Sequence, residues 1–124
     1  FKPNRTLKDW ISSDNDNVDN YVEDPLCGFP VTNGLWDDLA NGLLEVFKKE
    51  KYPKSNNSTS IFIISGSDDP VGENGKGVHR LNTFLSSIYS KTSIKIEEGA
   101  RHEVFSESSK ENSYNSLIKF ITTI

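Results

Sequence analysis

The stretch IFIISGSDDPVG, residues 61–72, constrains the fold more than any other part of the chain. Ile61 to Ile64 are apolar and β-branched or aromatic without alternation, which suits a strand covered on both faces, as in a parallel sheet. The strand is cut by Gly66, Asp68, Asp69, Pro70 and Gly72, each a turn former. Downstream, TSIKIEEGA alternates Ile94 and Ile96 with polar residues, so it reads as a second strand nearer a sheet edge. Between them lies a helical pattern with Val78, Leu81, Leu85, Ile88 and Tyr89 on one face. Strand, helix and strand in this order imply a right-handed βαβ unit within an α/β sheet.

Other elements flank this unit. Trp36, Leu39, Ala40, Leu43, Leu44 and Phe47 recur with helical spacing and predict an amphipathic helix. Asn33 is placed to cap it, Asp37 and Asp38 to favour its first turn, and Lys48, Lys49 and Lys51 its end. Pro53 and SNNSTS then break the pattern. A last helix is predicted with Tyr114, Leu117, Ile118 and Ile121 facing inward, and Ser108 and Glu111 have capping-box spacing at its start. The three helices are expected over 36–50, 77–90 and 109–122. Residues 1–34 hold apolar anchors (Trp10, Val18, Tyr21, Leu26, Phe29) without a long periodic element. They read as a lid or connecting segment, with a short turn of helix capped by Thr6 and another before Pro25.

Two strands are too few for a stable open sheet. The chain has 124 residues and no methionine, so it reads as a piece of a longer protein. A net charge of −4 with scattered Lys and Arg argues against a nucleic-acid binder. The single cysteine, Cys27, permits no internal disulfide and reads as a small apolar residue. His79 and His102 lack metal-ligand spacing, so no metal or cofactor is called for. No apolar run nears the roughly 20 residues of a membrane span and no signal peptide is visible, which points to the cytoplasm. NRT, NNS and NST match the glycosylation pattern, a short one in a chain rich in Asn and Ser. GENGKGV fails the phosphate-loop pattern, because Lys76 is followed by Gly77. Its glycines instead suit a turn into the second helix.

In open α/β sheets, sites lie beyond the carboxyl ends of the strands. Here those ends carry GSDDPVG and GARHEVFSE. Parallel neighbours lie about 5 Å apart, so an acid of the first loop can reach the imidazole of His102 in the second. A carboxylate that accepts from Nδ1–H fixes the tautomer of a histidine base. Asp68 and Asp69 both stand where such an acid is needed.

GSDDPVG, GVHRL and RHEVFSE, in that order, resemble the C-terminal half of serine α/β-hydrolases of the bacterial lysophospholipase and monoacylglycerol-lipase type. That group has a strand-end motif of the form G-S-x-D-P-V-G and its histidine in R-H-E. RTLKDWISSDNDNVDNYVEDPLCGFPVT resembles the segment leading out of the cap. The resemblance implies a C-terminal fragment of an α/β-hydrolase fold, with 1–34 derived from the cap or a connector and 35–124 from the core. It implies that Asp69 is the catalytic acid and His102 the base, with Asp68 on a variable, solvated position. Independently of the resemblance, His79, in a helical neighbourhood beside Val78, reads as structural or exposed, and Glu103 and Glu107 read as caps of the last helix or ion-pair partners of Arg101.

The nucleophile of such enzymes sits upstream in G-x-S-x-G, and this chain contains no such motif. The resemblance therefore implies a parent that cleaves an acyl ester, a lysophospholipid or monoacylglycerol, while this chain alone is inactive. The missing N-terminal half is the expected partner, and the 61–65 strand edge is expected to permit self-association. Trp10, Tyr21, Phe29 and Trp36 are candidates for an acyl pocket. A peptidase of the same fold and a non-catalytic α/β binding module are the alternatives.

Overall fold

The computed structural model describes residues 3–52 and 58–123. Pro53 and the NNS and NST sites, expected to lie in a helix-breaking stretch, fall wholly or partly outside the described residues. The elements are α1 (Asn15–Glu23), α2 (Asn33–Val46), a 3₁₀ turn (Lys49–Lys51), β1 (Ser60–Gly66), α3 (Lys76–Ser86), β2 (Lys91–Glu97) and α4 (Lys110–Thr123). β1 and β2 pair in parallel, from Ser60 opposite Lys91 to Gly66 opposite Glu97. The expected pairing is therefore present, and both strands end at the same edge.

Successive strand residues face opposite sides. Phe62 stacks on Phe120 of α4 at 5.1 Å between centroids, while Ile63 lines a groove with Val78, Leu81 and Phe84 of α3. The two helices thus take opposite faces of the sheet. Gly75 caps α3 with φ +85, and Glu73 and Asn74 before it also have positive φ. The glycine-rich stretch serves the turn, as its composition suggests.

Several expectations change. Thr32, rather than Asn33, caps α2, accepting the Leu35 N–H at 3.3 Å. The helix closes at Val46, before the lysines; Lys48 and Lys51 instead pair with Glu45. Its apolar stripe is largely uncovered, with Leu39, Leu43 and Leu44 exposed. Only its C-cap residue Phe47 meets a ring of α3, Phe84, at 5.4 Å. In α4 the face turned inward carries buried Ser113 and half-buried Ser116, Leu117 and Phe120, while Tyr114, Ile118 and Ile121 are exposed. The Phe62–Phe120 stack and the Ser116 hydroxyl bond to Glu97 at 3.3 Å set this rotation. Ser108 does not cap α4; its hydroxyl donates to Asp14 across the molecule at 3.2 Å.

Part of the N-terminal segment is deeply packed. Ile11 and Val18 are only 1% exposed and, with Val78, Ala100 and Val104, make up the buried apolar core. The core therefore gathers under the strand ends. Asp14 caps α1 by accepting from the Asp16 and Asn17 N–H groups, which fixes the helix that carries Val18. No helix of the described residues is long and apolar enough to cross a membrane.

Candidate functional site

The site is built from the two loops that leave the parallel strands. They are laced together: Ser67 N–H donates to Glu97 O and Asp68 N–H to Ala100 O, both at 2.9 Å. The Gly99 N–H donates to the Ser67 hydroxyl at 2.8 Å. Gly66 makes this approach possible, since a Cβ there would lie 2.0 Å from Ala100 O and 2.3 Å from Arg101 O.

Asp69 follows and is buried, at 5% exposure. Its Oδ1 accepts the Val71 N–H at 2.9 Å, an Asx-type turn that Pro70 helps preset. Its Oδ2 stands 3.1 Å from His102 Nδ1. An ionised carboxylate only accepts, so the imidazole donates from Nδ1–H and Nε2 is left without that proton. The His102 side chain is 40% exposed, open to a reactant. Gly72 leaves room beside the acid; a Cβ there would come within 3.2 Å of Asp69 Oδ2. Asp68 is exposed and its Oδ1 accepts from the Ser67 hydroxyl at 2.9 Å. The two aspartates differ, one buried against the histidine and one exposed. His79 is exposed on α3.

His102 is also held from the N-terminal side. The Trp10 ring packs against its imidazole at 5.1 Å between centroids, tilted by 51°. His102 N–H donates to Trp10 O at 3.4 Å and Glu103 N–H to Ile11 O at 2.8 Å. Of the other aromatics considered for an acyl pocket, Tyr21 lies under the Lys8 ammonium at 5.6 Å, and Phe29 and Trp36 are exposed. A groove of about 680 Å³ opens beside Asp69, lined by Ile63, Val71, Val78, Leu81, Phe84 and Phe47 among others.

The expected roles of the two glutamates change. Glu103 Oε2 accepts from Asn17 Nδ2 of α1 at 3.1 Å. Glu107, only 1% exposed, accepts the backbone N–H of Arg101 at 2.7 Å, while the Arg101 guanidinium goes elsewhere, to Ser12 O at 2.9 Å and to Asp9 O. Cys27 is half-buried, and burial, aided by the Asp24 charge, pushes its thiol pKa up, consistent with an unreactive side chain. Among the described residues no group of His, Cys, Asp and Glu can hold a metal ion.

Sequence reasoning missed Trp10 as a neighbour of His102, and it missed that Glu107 would be buried against Ser13 and the Arg101 N–H. A carboxylate in a polar loop gives no local sign that it will be buried by a segment 94 residues away.

Residues 1–109 match the model of the hydrolase family described as serine aminopeptidase, S33. The whole chain superposes on a solved structure of a highly thermostable carboxyl esterase from Bacillus coagulans in complex with glycerol. The identity is 29% and the TM-score 0.81, over 100% of this chain and 41% of the esterase chain. No match was found among curated proteins.

Proposed function

Since the chain belongs to the serine aminopeptidase S33 family of α/β-hydrolases, we propose that it supplies the acid and base of a serine hydrolase whose nucleophile lies on residues outside this chain. Asp69 holds His102 by the Nδ1–H bond, and the imidazole takes the serine proton at Nε2 and returns it to the leaving group. Asp69 stabilises the imidazolium formed in between. The single observation that carries this reading is the 3.1 Å contact between buried Asp69 and exposed His102 at adjacent parallel strand ends.

The substrate proposed is an acyl ester, a lysophospholipid or monoacylglycerol, in keeping with the esterase that the chain resembles. The chain spans about two-fifths of that esterase, at 41%, so the activity belongs to a longer assembly and the isolated chain is expected to be inert. The description of the family as aminopeptidases supports a second reading, hydrolysis of an N-terminal peptide bond by the same dyad.

The test is Asp69→Asn in the full-length hydrolase, assayed on p-nitrophenyl acyl esters and on aminoacyl-p-nitroanilides. Turnover on the true substrate class is expected to fall by as much as ~10⁴-fold, because Asn favours the wrong imidazole tautomer. Full turnover with Asn at this position would sink the assignment.

A further inference from the structure

Glu107 has no task in the chemistry above, yet it is one of the most buried side chains, at 1% exposure. Burying a carboxylate is costly unless its acceptor capacity is met. Here it is met by neutral donors. Ser13 N–H donates to Oε2 at 2.9 Å and to Oε1 at 3.1 Å, the Ser13 hydroxyl donates to Oε2, and Arg101 N–H donates to Oε1 at 2.7 Å.

The last of these donors matters most. The Arg101 N–H belongs to the residue just before His102, so Glu107 fixes the chain as it enters the histidine. The same residue's guanidinium reaches the other way, to the carbonyls of Asp9 and Ser12. With the bonds from His102 N–H to Trp10 O and from Glu103 N–H to Ile11 O, residues 9–13 are fastened along 101–107. This fastening is what brings the Trp10 ring to 5.1 Å from the imidazole. His102 therefore has three supports: Asp69 at Nδ1, Trp10 on its ring, and a backbone anchored through Glu107.

We propose that Glu107 is a positioning residue for His102, its buried carboxylate clamping Ser13 to the Arg101 N–H and so holding the imidazole against both Asp69 and Trp10. The proposal rests on the reading of His102 as the base. At 3.1 Å the Asp69 bond has little slack before it passes the limit of a hydrogen bond. A backbone shift of about 1 Å at His102 breaks it, and a misplacement of that size costs about 10²-fold in rate.

The test uses the 15N-histidine-labelled full-length hydrolase, with the His102 signals identified as those lost in His102→Gln. Imidazole 15N shifts report which ring nitrogen carries the proton. In the unaltered protein the Nδ1-protonated tautomer is expected to dominate, with a nuclear Overhauser contact from Trp10 to the His102 ring. Glu107→Gln keeps the shape but turns an NH₂ toward the Ser13 donors. It is expected to lose both the tautomer preference and the Trp10 contact. Ser13→Ala removes only the hydroxyl donor and should shift both in the same direction by less, and it serves as the test should Glu107→Gln not fold. In the full-length hydrolase, Glu107→Gln is expected to lower kcat about 10²-fold with KM unchanged.

A folded Glu107→Gln or Ser13→Ala chain that keeps the tautomer and the Trp10 contact would overturn the proposal, even if its unfolding midpoint falls. Asp69→Asn separates the two ideas. If it leaves the tautomer unchanged, the Asp69–His102 dyad itself is wrong. If it shifts the tautomer while neither Glu107→Gln nor Ser13→Ala does, only the role of Glu107 fails.

Discussion

Gly66→Ala is the smallest change that should pull the two strand-end loops apart. The added Cβ would lie 2.0 Å from Ala100 O, 2.3 Å from Arg101 O and 2.4 Å from Ala100 C, all backbone atoms, whereas ordinary contact begins near 3.4 Å. No rotamer relieves such a clash. The loops must separate by about 1 Å or more, because packed backbone does not compress. Overpacking of this kind costs about 1–3 kcal/mol. The Asp68 N–H bond to Ala100 O, now 2.9 Å, is stretched past its limit, for about 1 kcal/mol more. The expected loss is about 3 kcal/mol, a large share of the stability of a chain this size. Urea denaturation followed by tryptophan fluorescence reads it directly, since Trp10 sits beside the site. With a slope near ~1.5 kcal/mol/M, the midpoint should fall by about 2 M. Gly42→Ala is the control. Nothing lies within 4 Å of a Cβ there, and the exchange within α2 should stabilise by about 1 kcal/mol. A Gly66→Ala chain with an unmoved midpoint and an intact Nδ1–H signal at His102 would refute the argument that glycine is needed for loop closure.

Acid should loosen the turn at residues 5–9. The Thr6 hydroxyl bond, with the Arg5 and Thr6 N–H groups, holds Asp9 below its ordinary value of 3.8. The folded pKa is the lower one, so this stabilisation is present above pH 3.8 and is lost as pH falls through the folded value. Amide shifts of Arg5 and Thr6 should therefore change only in acid; shifts that stay constant down to about pH 2 would contradict it. Cys27, raised above 9.0 by burial, should react with iodoacetamide at neutral pH more slowly than free cysteine, and an equal or faster rate would show an activated thiol. β1 has β2 on one side only among the described residues, which leaves Ile61 to Ser65 with an open, apolar edge of the kind that recruits another chain. Sedimentation of the isolated chain at micromolar concentration should show association, relieved by adding the nucleophile-bearing half of the hydrolase. A monodisperse monomer would favour a self-contained binding module instead.

What the sequence determined by itself is local in reach. Unbroken apolar Ile61–Ile64 and alternating Ile94 and Ile96 specify strand type, because side-chain alternation is a property of each strand. The order strand, helix, strand then brings the Asp69 and His102 loops to one edge, and the motif resemblance distinguishes Asp69 from Asp68. Tertiary structure decided what depends on distant partners. The stripe Tyr114, Leu117, Ile118 and Ile121 is a sound helical face, yet α4 turns Ser113, Leu117 and Phe120 inward because Phe62 and Glu97 supply the contacts. The apolar face of α2 is just as legible, yet Leu39, Leu43 and Leu44 stay exposed, because burial depends on what packs over a helix and not on its own periodicity. Ser13 and Glu107 stand 94 residues apart. Helical periodicity and capping rules reach only three or four residues along the chain. A buried carboxylate that joins the two ends of the sequence around His102 therefore becomes visible only once the backbone has brought them together.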